Sequence, residues 1–291
     1  MKFLLTLVIC SILIFNQGCQ KHKKLESKDG MILISAGEFQ MGTSDGMLFE
    51  SPVHKVALNA FWIDEHEVSV AEFNEFVNKT GYKTEAKKFG WSAVFDIESG
   101  EWEKAEGANW QQPEGKNSRS NPEEPVCQIS WNDANEYARF VGKRLPTEAE
   151  FEYAARGGLV GNKYSWGNDL KPNGKPVANW WQGEFPSKNT VEDGFIQRSS
   201  IKKFTPNGYG LYDITGNVWE WTNDYYADDY YTKSPKDNPK GAENGEQKSI
   251  RGGSWICAEN ICSNYRVAAR SKATPDSAMN NLGFRCVKDS K

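Results

Sequence analysis

Hydrophobic and polar positions alternate with a strand-like period near the start of the chain and switch to a helical period further on. Residues 31–42 (Met31 to Gly42) alternate around Gly37 and end on Gly42, which predicts strand, turn, strand; Val53 to Asp64 predicts a further strand pair. At Ser69 the period changes. Ser69 with Glu72 forms a capping box, Phe73, Phe76 and Val77 supply one buried stripe, and Gly81 stops the helix. Ser130 to Asp133 opens a second helix, with Ala134, Tyr137, Ala138 and Val141 on one face and Gly142 at its end. Thr147 with Glu150 is another capping box, and a third short helix runs to Gly157. Between Gly81 and Glu124 the pattern is weak: a polar stretch carries isolated aromatics (Phe89, Trp91, Phe95, Trp102, Trp110), and so long a loop is usually functional or ordered by unusual packing. Beyond Gly157 the chain reads as turns and short strands. The expected architecture is α+β, a single irregular, loop-rich domain with little regular structure.

Composition supports one domain. The 291 residues include 15 Phe, 11 Tyr and 11 Trp, enough aromatic mass for a substantial core, and the 26 Gly and 12 Pro are scattered rather than gathered into linkers. No block repeats at a fixed period. A formal net charge of −4 with both signs interspersed gives no basic footprint for nucleic acid. The first residues depart from this composition. Lys2 precedes the apolar run Phe3 to Phe15, then come Gly18-Cys19 and the basic Gln20 to Lys24. A charged start, a short apolar core and a small residue before a cut site make a secretory signal too short to span a membrane comfortably. Gly18-Cys19 is the bacterial lipoprotein pattern, so residues 1–18 are expected to be a signal peptide, Cys19 to be lipidated, and 19–30 to be a tether; plain secretion with cleavage elsewhere is the alternative. Either reading places the folded part outside the cytoplasm.

Two cysteines stand out. Cys257 and Cys262 follow Arg251-Gly-Gly-Ser254 within twelve residues of a polar, Gly-rich segment, in a chain holding six cysteines. A structural disulfide is the simplest reading of the spacing in an oxidising compartment. A zinc half-site lacks partners, because His22, His54 and His66 lie far away in sequence and no second Cys pair is near. A pair of thiolates suits a soft, low-coordinate cation such as Cu(I). Spacing alone favours the disulfide. Separately, Asn179 with Asp193, and Asp213 with Glu220 around Gly216, offer hard oxygen ligands of the kind Ca²⁺ takes, although such turns commonly only turn.

From Lys143 to Gly158 (Lys-Arg-Leu-Pro-Thr-Glu-Ala-Glu and onward) the chain resembles the sulfatase-modifying-factor family, the formylglycine-generating enzymes and their relatives. Residues 36–42, 64–68, 216–221, 251–254 and 283–285 are similar to it too, so the likeness runs from about residue 31 to the end. It implies one domain over 31–291 of the C-type-lectin-like kind. The superfamily holds enzymes and non-enzymes, so these general motifs bear on fold. The stretches 107–115, 181–186, 189–195 and 274–276, with the Cys257/Cys262 pair, resemble the catalytic branch.

That resemblance implies Cu(I) on Cys257 and Cys262 with Ser254 as the adjacent catalytic residue, O2 as co-substrate, and a cysteine in a Cys-x-Pro-x-Arg-like segment of an unfolded sulfatase as substrate. Loss of a Cβ hydrogen would give a thioaldehyde that hydrolyses to formylglycine. It also implies one calcium on Asn179, the Trp180 carbonyl, Asp193 and the Phe195 carbonyl, and a second on Asp213, the Gly216 and Val218 carbonyls and Glu220. A groove walled by aromatic side chains is expected for the extended peptide. The chain departs from eukaryotic relatives at supporting cysteines: Ala155 and Val267 replace one pair, and Ala138 stands where Cys286 would find its partner, so that Cys127 could reach Cys286 instead. Phe151 replaces a common Trp. The sum is a monomeric, lipid-anchored enzyme of the cell envelope, periplasmic or on the outer membrane. The rival is a non-catalytic envelope lipoprotein using the fold for binding or scaffolding; a sulfoxide synthase would need a histidine-rich partner domain, which three histidines do not supply.

Overall fold

A computed structural model describes residues 25–290. The expected signal peptide, Cys19 and the first part of the tether lie outside the described residues. The tether ends sooner than expected: β1 (Ser27–Lys28) already pairs antiparallel with β2 (Met31–Ile34) across a turn at Asp29 and Gly30. β3 (Gly37–Met41) and β4 (His54–Leu58) make a separate two-stranded ribbon, and β5 (Phe61–Asp64) returns to β2 with Ile32 opposite Ile63. Helix α1 (Val70–Thr80) begins at the Ser69–Glu72 capping box and ends at Gly81, whose left-handed φ of 68° favours glycine.

The weak stretch after Gly81 is ordered. A single helical turn, α2 (Glu85–Phe89), leads into a hairpin of β6 (Trp91–Asp96) and β7 (Glu101–Glu106). Sequence reasoning missed it because the charged β7 (Glu-Trp-Glu-Lys-Ala-Glu) lies mostly exposed and carries no hydrophobic alternation. Helices α3 (Trp131–Phe140) and α4 (Glu148–Arg156) start at the expected caps, Ser130 and Thr147. After α4 no strand forms until β8 (Trp219–Tyr225), which is followed by β9 (Lys248–Arg251), β10 (Arg270–Ala273), β11 (Leu282–Gly283) and β12 (Val287–Asp289). These complete two four-stranded sheets, β1-β2-β5-β12 and β10-β9-β8-β11. The architecture is therefore the irregular α+β domain that the sequence predicts.

Two apolar cores hold it together. One gathers Phe73, Trp110, Tyr137 and Phe284, with Phe73 stacked on Tyr137 at 5.7 Å and edge-on to Trp110 at 5.4 Å. The other packs Phe151 and Ala155 of α4 on Ile32, Val56 and Ile63 of the strands. Cys127 and Cys286 are free, buried thiols, so the alternative bridge between them is not formed. Burial pushes the Cys127 thiol up to about 12 and the Cys286 thiol well above its ordinary range, which leaves both inert.

Between the cores lies a network of buried charge. Glu148 on α4 accepts from Arg251 Nη1 at 2.8 Å and from Arg270 Nε and Nη2 at 2.6 and 2.8 Å. Glu152, one turn on, accepts from Arg251 Nη2 at 2.6 Å and from Arg156 Nη2 at 2.6 Å. Burial raises the Glu148 carboxyl, but Arg270 and Arg251 outweigh it and bring the group down to about 2. A carboxylate depressed below its ordinary 4.5 contributes stability that is complete above that value and is lost as pH falls toward 2. Replacement Glu148→Gln is expected to cost about 3–5 kcal/mol in urea unfolding, because it strips a partner from two buried guanidinium groups. Its acid unfolding should show a shallower slope than the parent's between pH 4.5 and 2, the remainder coming from groups such as Glu152 that stay depressed.

Candidate active site

The strands β9 and β10 are joined by a loop, residues 252–269, that carries Ser254, Cys257 and Cys262. Its first turn is possible only with glycine. Gly253 has φ of +73°, and a Cβ there would sit 2.6 Å from the carbonyl carbon of Asn264 on the returning arm. This close approach brings the two arms together. The Cys257 N–H donates to the Ser254 carbonyl at 2.9 Å, and the Cys262 N–H donates to the Ala258 carbonyl at 3.2 Å, so the five-residue spacing is closed by a local turn.

Both cysteines are free rather than disulfide-bonded. Their thiols lie close enough to influence each other's ionisation and share the site unequally. Burial, then Cys262, drives the Cys257 thiol well above its ordinary range, whereas the hydrogen bond from Cys257, assisted by the N–H groups of Asn264 and Ala258, brings Cys262 down to about 6. The Ser254 N–H points at Cys257 Sγ at 3.4 Å, its Oγ stands 3.9 Å from the same sulfur, and Asn281 Nδ2 donates to that Oγ at 2.9 Å. Asn281 was missed by sequence reasoning. It belongs to the segment between β10 and β11 and carries a buried Oδ1 with no partner.

Aromatic rings close one side. Phe95 of β6 lies edge-on to Trp255 at 6.0 Å and to Trp181 at 6.4 Å, and stacks on Phe185 at 5.2 Å. Past the same hairpin, a cavity of about 370 Å³ lies between the half-exposed Phe89 and Trp91 and the segment 274–279. That segment is clamped to β6, with Ala93 N–H donating to the Ala278 carbonyl and Asn280 N–H to the Ala93 carbonyl, both at 3.3 Å. The cavity is thus tied, through Asn280 and Asn281, to Ser254.

The oxygen-rich segments meet the cysteine loop directly. Gly216 N–H donates to the Gly252 carbonyl, Asn217 N–H to the Asn179 carbonyl, Trp255 N–H to the Asn217 carbonyl and Trp181 N–H to the Cys257 carbonyl, at 2.8 to 3.1 Å. In the first set, Trp180 O and Asp193 Oδ2 converge on one atom, the Gln182 Nε2, which lies 2.7 Å from Asp193. Asp193 Oδ1 accepts from the Phe195 N–H at 2.9 Å, and the Asn179 amide donates to Gln197 O at 2.8 Å. In the second set, Asp213 Oδ2 accepts from the Lys202 N–H at 2.7 Å while its buried Oδ1 has no partner. Glu220 is paired with Arg285 at 2.7 and 2.8 Å, and Val218 N–H donates to Glu67 Oε1 at 3.4 Å.

Glu67 is the second residue that sequence reasoning missed, although it stands inside the motif at 64–68. It is fully buried, and burial followed by the charges of Asp213 and Glu220 pushes its carboxyl well up. Glu67, Asp213 and Glu220 thus influence one another, with Arg285 as the cation that answers them. Carboxyls pushed up together in this way are groups that a bound divalent cation would return to their ionised form. Among the described residues no three His, Cys, Asp or Glu side chains group closely enough to hold an ion alone, so either set depends on its carbonyl and amide oxygens.

Comparison with known proteins gives the family. The family described as "Sulfatase-modifying factor enzyme 1-like domain" matches residues 16–290. The chain is 46% identical over 283 residues to the formylglycine-generating enzyme of Streptomyces coelicolor, covering 90% of each chain. It is 48% identical over 279 residues to the formylglycine-generating enzyme of Bos taurus, covering 89% of this chain and 74% of that one. Among solved structures, PvdO from Pseudomonas aeruginosa superposes with a TM-score of 0.70 at 27% identity, over 89% of this chain and 94% of that one. With the fold, the glycine-turned loop and the family match in agreement over nearly the whole domain, the chain belongs to the sulfatase-modifying factor family.

Proposed function

We propose that this protein converts a cysteine in a Cys-x-Pro-x-Arg-like segment of an unfolded sulfatase to formylglycine, with Cys257 and Cys262 holding Cu(I) and O2 as co-substrate. The observation that carries the reading is the pair of free cysteines, Cys257 and Cys262, in one buried loop turn with Ser254 against Cys257 Sγ. A scaffold serving only for binding has no use for a buried thiol and a depressed thiol together. The donor set fits a soft, two-coordinate cation: both ligands are sulfur, one is already ionised near neutrality, and neither is spent in a disulfide. Copper, when bound, supplies the oxygen activation that cysteine oxidation requires.

The protein's own residues supply orientation and exclusion of water. Ser254 accepts from Asn281, which leaves its hydroxyl proton free to turn toward Cys257 Sγ. Its N–H supports the same sulfur once the thiol proton is lost. Trp255, Phe95 and Trp181 screen that side of the loop from solvent. The cavity between Phe89, Trp91 and residues 274–279 is suited to an extended peptide, because the clamped segment beside it ends at the asparagine that touches Ser254.

Calcium is proposed at both oxygen sets, with a structural role. The segments at 179–195 and 213–220 contribute few ladder bonds, and the lone buried Oδ1 of Asp213 and the convergence of Trp180 and Asp193 oxygens suit a hard cation. Glu67 would join the second set. The lipoprotein pattern at Gly18-Cys19 supports anchoring of the chain, as a monomer, to a membrane of the cell envelope.

Three outcomes test these readings. Copper-loaded protein incubated in air with a Cys-x-Pro-x-Arg peptide should give a product lighter by about 18 Da, from exchange of thiol for aldehyde; Cys257→Ser and Cys262→Ser should abolish it, and Ser254→Ala should lower turnover. Absence of product from the loaded parent would sink the enzyme reading. In metal-free protein, alkylation by iodoacetamide should map first to Cys262 and fall off as pH drops through about 6, while Cys257 stays protected. Calcium should raise the melting temperature, with about 2.7 kcal/mol of stabilisation when its concentration is about 100-fold above the dissociation constant, and Asp213→Ala should remove part of that shift.

A further inference from the structure

The described chain begins at Leu25, beside an apolar face that the proposed chemistry does not use. Leu25 lies against Gly210, where an added Cβ would sit 2.9 Å from its Cδ1. The neighbouring Tyr209 packs on Tyr153 at 5.9 Å, and Tyr153 on Phe39 at 5.1 Å. Tyr209 also covers Gly158, which opens the tip Gly158-Leu159-Val160-Gly161. Phe39, Tyr153, Tyr209 and the tip line one cavity of about 320 Å³, with Glu38 and Arg156 at its polar side; Leu25 lies next to it. At its rim Val160 is 85% exposed and Leu159 36%, between two glycines in the left-handed region (φ 86° and 70°). An aliphatic pair held outward on a glycine-flanked turn gains nothing from the protein itself. Lys55, paired with Glu38, lines the same cavity, and Lys163 lies in the adjoining one, each long enough to cover apolar surface with its stem.

The length of chain outside the described residues indicates what covers this face. Five residues, Gln20 to Lys24, separate Cys19 from Leu25, and the six Cα steps between them span about 20 Å when fully extended. A lipid on Cys19 therefore keeps Leu25 within about 20 Å of the bilayer, and the linking residues Gln20 to Lys24 include three lysines suited to anionic headgroups. We infer that the face formed by Leu25, Tyr209 and the Leu159–Val160 tip rests on the bilayer that holds the anchor, with the tip in the headgroup region. This rests on the proposed lipidation of Cys19. A fluid surface accommodates a protruding tip without a complementary pocket, and tyrosines at the rim are suited to the membrane–water boundary.

The test uses the full lipidated chain, reconstituted into phosphatidylcholine and phosphatidylglycerol vesicles with brominated acyl chains. Val160→Trp places a reporter at the tip, and Ile196→Trp places one on the exposed loop beside Asp193; both positions are exposed enough for the chain to fold unchanged. Flotation reads the anchor, and quenching of the added emission reads the orientation. The expected result is that both variants float and only the emission added at position 160 is lost. Chains that do not float overturn the anchor and this inference together. Chains that float with the tip unquenched, or with both positions quenched alike, overturn the inference alone, as does cross-linking that finds the tip covered by a second copy.

Discussion

A single carboxylate, Glu148, holds both feet of the cysteine loop. Arg251 ends β9 and Arg270 begins β10, so the eighteen residues between them, 252–269, hang from two guanidinium groups that converge on one side chain of α4. A loop of that length with no regular structure would otherwise wander. Buried ion pairs of this kind add little net stability over a well-packed apolar core, because desolvation offsets attraction. Their effect here is positional: the spacing of Arg251 and Arg270 is set, Glu152 ties Arg251 to Arg156, and Arg266 within the loop is fixed to Glu50 at 2.7 Å. The motif running from Lys143 to Gly158 is thus the foundation on which the cysteines stand.

The site is held from a second direction by backbone hydrogen bonds alone. Gly252, Trp255 and Cys257 are joined to residues 179–181 and 216–217, where the oxygen ligands are proposed. Those segments gain their order from Asn217, which accepts from Ser199 and Asn179 and donates to Glu67. Loss of order around the carboxylates would therefore reach Ser254 and Cys257 through one or two hydrogen bonds.

Much of this was legible in the sequence, and for identifiable reasons. The three longer helices announced themselves through Ser69, Ser130 and Thr147, because a cap is a local event between residues three apart. Cys257, Cys262 and Ser254 were placed by resemblance, and the structure brings them together. The β6–β7 hairpin was hidden because it packs a few aromatics such as Phe95 and leaves its other face to charge. Asn281 and Glu67 were hidden because their roles come from distant partners: an asparagine touching a serine 27 residues away, and a glutamate touching an asparagine 150 residues away, leave no trace in spacing. The alternative bridge between Cys127 and Cys286 is absent because each thiol is buried in its own surroundings, Cys286 in the aromatic core and Cys127 near Arg198.

The nearness of two free cysteines, Cys257 and Cys262, in one loop turn also bears on how the protein is made. A thiolate beside a thiol is the arrangement from which a disulfide forms once an oxidant removes two electrons, and oxidants are abundant outside the cytoplasm. The same pair that suits a soft cation is therefore open to a competing fate. The proposed copper, once bound, would protect both sulfurs, whereas oxidation of the unloaded pair would close it and forfeit the site. The yield of working protein would then depend on the order of two events, loading and oxidation, as well as on folding.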